Sequence, residues 1–187
     1  MIEKMAVSNP DFELIKKFNA GDEAAFNDIV KKYQKKIYWH ARRMTGNHLD
    51  ADEVVQEVLI VIYNNLSKFR FQSSLYTWIY RITSTRTLNF LNRSKVKRFL
   101  GIEESNVSDL SSNEDIIENI EQKEKFAMLE QKLQRLPAKQ REIFIMRNFD
   151  DMSYKEISEI TGKTEGGLKA NYFHAVNKLM ELMKEDE

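Results

Sequence analysis

The sequence predicts an all-α protein: two small helical units joined by an acidic, flexible linker. Three observations carry that prediction. Two prolines and six glycines in 187 residues leave too little turn chemistry for a sandwich or barrel. Apolar residues recur at helical spacing along most of the chain. Between them, residues 101–113 mix Ser, Asn, Gly and acids with no apolar period, which marks a solvated connector. The units are expected at 11–98 and 123–187, with the linker at 99–122. With 42% apolar residues, each has material for a core, though the second is near the size at which burial is marginal.

In chain order, Phe12, Ile15 and Phe18 share one face of a first helix, which breaks at Ala20-Gly21-Asp22. Phe26, Ile29, Val30, Tyr33 and Ile37 follow i, i+3, i+4, i+7 in the second, and Thr45-Gly46-Asn47 ends it. Asp50-Ala51-Asp52-Glu53 suits a capping box, with Asp50 accepting from the amide of Glu53. The helix it opens runs to about Leu66 on Val54, Val55, Val58, Leu59 and Ile62, with Asp52, Gln56 and Glu57 facing elsewhere. Lys68–Ser74 reads as a polar, aromatic loop, and Leu75 to about Lys97 resumes a helix. Glu114–Leu136 is helical again, closed by Pro137, and Ala138–Asn148 follows. Ser153-Tyr154-Lys155-Glu156 is a second capping box. Gly162 supplies a left-handed stop and Thr164 a cap for a helix to about Met183. Two helices joined by a short glycine turn form the helix-turn-helix pattern.

Several classes of chemistry are excluded. Without cysteine there are no disulfides, thiolate metal sites or thiol nucleophiles, and His40, His48 and His174 show no ligand spacing. No cofactor is expected. Gly162-Lys163-Thr164 resembles the end of a phosphate loop, but that motif needs a glycine where Ile157 stands. No run of about 18 apolar residues exists, and Met1-Ile2-Glu3-Lys4 opens no leader, so a soluble, cytoplasmic protein is expected.

Net charge is zero, yet charge is segregated along the chain. Val58–Ile102 contains no acid and eight cations (Lys68, Arg70, Arg81, Arg86, Arg93, Lys95, Lys97, Arg98), whereas 103–122 holds seven acids and no cation. Such segregation points to a polyanion partner. Phe69, Phe71, Tyr76, Trp78, Tyr80, Phe90 and Phe99 interleave with these cations. Stacking rings plus backbone neutralisation hold single-stranded nucleic acid, so the candidates are Lys68, Arg70, Phe71, Gln72, Ser73 and Ser74 in the loop. Arg81, Thr85, Arg86 and Asn89 extend the set along the helix behind it. In the helix-turn-helix, Leu168, Tyr172, Ala175, Val176, Leu179 and Leu182 form the buried stripe. The opposite side offers Lys163, Thr164, Glu165, Gly166, Gly167, Lys169, Ala170, Asn171 and His174, small and polar residues suited to major-groove entry.

In combination these pieces resemble the extracytoplasmic-function sigma factors of the sigma-70 family, from about Asp11 to Met183. Asp50–Val58 resembles that family's polymerase-binding helix, and Tyr76-Thr77-Trp78-Ile79-Tyr80-Arg81-Ile82 its promoter-melting segment. Leu136–Phe144 and Met152–Ile157 resemble the start and middle of its C-terminal domain. The resemblance implies a transcription initiation factor, not an enzyme, with Asp52, Glu53, Gln56 and Glu57 contacting the clamp helices of the large core RNA polymerase subunit. It implies minus-ten reading and melting by the loop 68–74 and its helix, and minus-thirty-five reading by Thr164–Asn177. It further implies contact with the flap of the second large subunit, an acidic linker threading the polymerase cleft, and an anti-sigma factor or other regulatory partner.

Three departures matter. Phe71-Gln72 stands where family members often have Gly-Asp, Thr85 where Asn is common, and Gly167–Asn171 where many have Thr-Val-Lys-Ser-Arg. The other readings of these residues are a stand-alone helix-turn-helix regulator, which leaves the front half without purpose, and a helical adaptor or enzyme, which lacks a buried polar constellation. The two units are expected to be held loosely until a partner fixes them.

Overall fold

The computed structural model describes residues 10–101 and 120–185. Helices α1 (Pro10–Asn19), α2 (Ala24–Thr45) and α3 (His48–Asn65) lead through a 3-10 turn (Leu66–Lys68) to α4 (Leu75–Phe99). Then come α5 (Ile120–Leu133), α6 (Ala138–Asn148), α7 (Tyr154–Thr161) and α8 (Glu165–Lys184). No strand occurs among the described residues. The helical ends of the expected linker belong to α4 and α5, and its acidic centre, like the expected helix start at Glu114, lies outside the described residues.

The start of α3 differs from the sequence expectation. Asn47, not Asp50, is the cap: its side chain accepts the Asp50 N–H at 3.1 Å, one turn earlier. Asn and Asp are equally good caps, so the residue that first adopts extended backbone takes the role. At Ser153 both halves of the capping box form, and Gly162 ends α7 at φ 71°. Hydrogen bonds from Ser153 hold the Glu156 carboxyl below the usual range.

The first core joins α1–α4 around Ile29, Ile37, Val54, Val58 and Ile79. Helix α4 carries a second apolar line on its other side. Tyr76 and Tyr80 pack against Ile143, Ile157, Ile160 and Leu168, and Leu88 and Leu91 join Met44, Leu133, Ile145 and Leu179. In this structure the two units are in contact: α2 and α4 share a buried seam with α5–α8. Tyr80 is 1% exposed and Met44 0%, and burying such side chains contributes a few kcal/mol.

Polar groups close the seam. Arg141 Nη1 donates to Met44 O (2.5 Å) and Gln134 Oε1, and its Nη2 to the carbonyls of Gln134 and Leu136 (3.2 Å each). Burial pulls Arg141 down to about 10, so it stays charged near neutrality. His40 Nδ1 lies 2.8 Å from Asp150 Oδ2, and Ser84 Oγ donates to Glu142 Oε1 at 2.5 Å. Gly46, at φ 75°, lets α5 approach: a Cβ there would meet Gln134 at 2.7 Å, while Gln134 Nε2 donates to Arg43 O at 2.8 Å.

Burial pushes the Glu142 carboxyl above the usual glutamate range despite the hydrogen bond from Ser84, and its Oε2 has no hydrogen-bond partner among the described residues. The folded state thus holds this proton more tightly than the unfolded chain. The group's stability contribution is full below about pH 4.3 and is lost as pH climbs through the raised folded value. Glu142→Gln keeps an acceptor for Ser84 and cannot titrate. In urea unfolding the variant is expected to gain on the wild type as pH rises above about 4.3; a difference that stays constant with pH contradicts this.

Candidate nucleic-acid and protein interfaces

Three surfaces carry the sequence-predicted residues. On α3, Val54, Val55, Val58 and Ile62 turn inward, leaving Glu53 and Gln56 exposed. The other two acids are engaged. Asp52 lies 3.4 Å from His48 Nε2, and Glu57 accepts from Arg93 Nη2 on α4 at 2.5 Å. Two residues missed by sequence reasoning complete the face: Leu49 is 69% exposed and Ile60 61%. Positions 49, 53, 56 and 60 fall on one side of a helix, so α3 presents a strip of two apolar residues, one acid and one amide. The signal was available, since Leu49 and Ile60 lie off the Val54–Val58–Ile62 stripe.

The second surface is the loop 69–74 and the start of α4. Lys68, Arg70, Phe71 and Gln72 are exposed and Ser73 is half-buried. Ser74 is exposed too, but its Oγ is engaged in capping α4, accepting the Thr77 N–H at 3.0 Å. The expected ring-lined strand site is also narrower. Tyr80 and Phe90 are buried and Phe69, Tyr76 and Trp78 partly so, leaving Phe71 and Phe99 as the exposed rings of that set. The reason is the double-sided packing of α4.

Phe71 has φ 55°, a left-handed conformation that costs a bulky residue about 1–2 kcal/mol. Its ring lies 5.0 Å from that of Phe12 on α1 and 4.8 Å from Phe69, which in turn sits 5.3 Å from Trp78. Each such pair contributes about 0.5–1.5 kcal/mol beyond its area. Ring packing is therefore large enough to offset the strain. Glycine would adopt this backbone freely, whereas here a phenylalanine adopts it and its ring packing holds it there.

Further along α4 the positions divide. Thr85 and Asn89 are exposed and Arg86 is half-buried. Arg81 is occupied, its Nη2 donating to Glu159 O of α7 at 2.7 Å, and Thr85 Oγ1 donates back to Arg81 O at 2.8 Å.

The third surface is the turn into α8 and the outer side of that helix. Thr164 caps it by accepting the Gly167 N–H at 3.3 Å. Thr164, Glu165, Gly166, Gly167, Lys169, Ala170 and His174 are exposed, and Lys163 and Asn171 half-buried. Nothing lies within 4 Å of where a Gly166 Cβ would sit, so the helix start is open to a close approach. Asn171 Nδ2 donates to Gly167 O at 2.8 Å, and Lys169 reaches both Glu165 (3.9 Å) and the face of Tyr154 (5.5 Å). Leu168, Ala175, Leu179 and Leu182 are buried as expected, while Tyr172 and Val176 are partly so. Among the described residues there is no cluster of metal-ligating side chains, and no helix is long and apolar enough to cross a membrane.

Residues 29–96 match the family model for sigma-70 region 2, and residues 126–179 that for sigma-70 region 4. The chain is 31% identical over 162 residues to the ECF RNA polymerase sigma factor SigW of Bacillus subtilis (strain 168), covering 83% of this chain and 87% of that protein. It is 30% identical over 175 residues to the ECF RNA polymerase sigma-E factor of Escherichia coli (strain K12), covering 88% and 90%. Among solved structures, it resembles the sigma factor RpoE in complex with the anti-sigma factor NepR from Bartonella quintana (TM-score 0.69, 21% identity, 87% of this chain and 98% of that one). It also resembles CnrH in complex with the cytosolic domain of CnrY (TM-score 0.70, 18% identity, 96% and 100%), and both likenesses concern the fold. By its curated relatives and its two matched regions, the chain belongs to the ECF RNA polymerase sigma factors of the sigma-70 family, which are transcription initiation factors and not enzymes.

Proposed function

We propose that this chain binds core RNA polymerase through α3, recognises a two-part promoter and helps to open it. Residues 11–98 form the unit that meets the polymerase and the minus-ten element, 99–122 the connector, and 123–187 the minus-thirty-five unit. The protein acts in the cytoplasm, where its polymerase and DNA partners are. RpoE is in complex with the anti-sigma factor NepR in the structure this chain resembles, and a regulator of that kind is proposed here too.

The observation that carries this reading is the solvent-facing strip Leu49–Glu53–Gln56–Ile60. A helix that leaves two large apolar residues more than 60% exposed beside an acid and an amide has the composition of a protein-docking face. A stand-alone helix-turn-helix regulator uses α6–α8 and leaves that strip unexplained. Asp52 and Glu57, tied to His48 and Arg93, hold the strip's shape, while Glu53 and Gln56 make the outward contacts.

The cations and Phe71 of the loop 68–74 would hold an unpaired strand, whose extraction costs a few kcal/mol repaid by stacking and phosphate contact. Arg81 joins only when it leaves Glu159, so promoter opening requires the α4–α7 contact to part. The outer side of α8 would enter the major groove. With Asn171 where many relatives carry Arg, one phosphate contact is lost, and the salt dependence of binding should fall by about one unit of slope.

Replacing Leu49, Gln56 and Ile60 together by Ala is expected to weaken co-elution with core polymerase at least about tenfold with little change in Tm. Unchanged co-elution removes α3 as the docking face. Arg86→Ala should leave core binding intact and reduce permanganate-detected strand opening on a cognate promoter several-fold; normal opening removes the melting assignment from α4.

A further inference from the structure

Between the 3-10 turn and α4, the loop is pinned at its two ends. The Phe69 N–H donates to Leu66 O at 3.1 Å, and Ser74 caps α4. Among the described residues, 70–73 make no backbone–backbone hydrogen bond. Besides a long hydrogen bond from Ser73 Oγ to Ser74 O (3.4 Å), the middle of the loop is held by the Phe71 ring, at a residue whose left-handed backbone disfavours a bulky group. That ring rests on Phe12 and Phe69.

Phe12 is itself firmly placed. Its neighbour Asp11 is buried and accepts from Tyr33 Oη at 2.7 Å and Lys32 Nζ at 2.5 Å, both on α2. Burial and this bond push the Tyr33 hydroxyl well above the ordinary tyrosine range, so it remains a donor. Ile15, one turn on, is buried in the first core. Helix α1 precedes the stretch matched by the region 2 model, which begins at residue 29.

We propose that Phe12 on α1 is a positioning residue for the base-reading loop, clamping Phe71 in its left-handed conformation so that exposed Gln72 and half-buried Ser73 are presented to an unpaired base. The inference rests on the strand-opening role proposed above and adds a specificity determinant outside the matched region. The clamp fixes which edge of the loop meets the base, so it acts on discrimination among bases more than on the sum of phosphate attraction. Losing it lets residues 70–73 sample other conformers, and every base then finds a partial fit. Phe12 and Phe71 act as a unit, so removing either should leave little for the other to lose.

The complex with core polymerase is presented with a random single-stranded DNA library of about ten nucleotides, and bound strands are sequenced. Wild type is expected to enrich one base at a position by about tenfold over the others, the size of one stacking and edge contact. Phe12→Ala should reduce that enrichment at least about fivefold while core co-elution is retained, and Phe12→Tyr should restore it. Phe12→Ala added to Phe71→Gly should produce little further change. A general loss of folding lowers binding of all four bases together and leaves their ratio intact, so an unaltered ratio in Phe12→Ala overturns the clamp. Wild-type enrichment with an undisturbed variant sinks this inference alone. A wild-type complex that selects no base and opens no promoter overturns the strand-opening role and the clamp with it.

Discussion

Helix α4 has to satisfy two sets of neighbours at once, and most of the molecule follows from that requirement. One side, through Leu75, Ile79 and Phe90, completes the core built by α1–α3. The other, through Tyr76, Tyr80, Leu88 and Leu91, packs on α5–α8. A helix apolar on two sides cannot stand at a surface, because the second side would cost about 25 cal/mol for each square ångström left in water. Something must cover it. In this structure the cover is the chain's own C-terminal half.

That cover has a functional consequence within the proposed role. Arg81, whose guanidinium is suited to phosphate, is held by the Glu159 carbonyl. The same contacts that stabilise the packed chain withhold part of the surface proposed to meet DNA. Buried polar pairs such as Ser84–Glu142 and His40–Asp150 add little net stability over apolar contacts, but they are costly to mismatch, so they define one register for the seam. Lys68, Arg70 and the exposed loop residues lie outside it, as does the outer side of α8. The docking strip on α3 is likewise exposed, so a polymerase contact there need not wait for the seam to part.

Much of this was legible in the sequence. Helix breaks at Gly21, Gly46 and Gly162 follow from turn chemistry, and the Ser153 and Thr164 caps from side chains that can reach a backbone amide. The stripe on α8 followed from its 3.6-residue period. What escaped was whatever depends on a second element. Tyr76, Tyr80, Leu88 and Leu91 recur at helical spacing, yet a line of rings beside cations reads equally as a stacking platform or as core. Only the presence of α7 and α8 decides between them. Arg93 and Glu57 are 36 residues apart, and no local pattern pairs them. The left-handed backbone of Phe71 was hidden because a phenylalanine is not where such a conformation is sought, and the ring that holds it sits on α1, far away in sequence.

Because the chain lacks cysteine, single labels can be placed without background. Gln34→Cys on α2 and Lys178→Cys on α8, both exposed, put a dye pair across the seam. Free protein should give one narrow, high energy-transfer population, and core polymerase with promoter DNA should shift it to low transfer as α4 exchanges one partner for the other. Transfer that stays high while transcripts are made would show that the strand is opened without releasing α4, and would contradict its shared use.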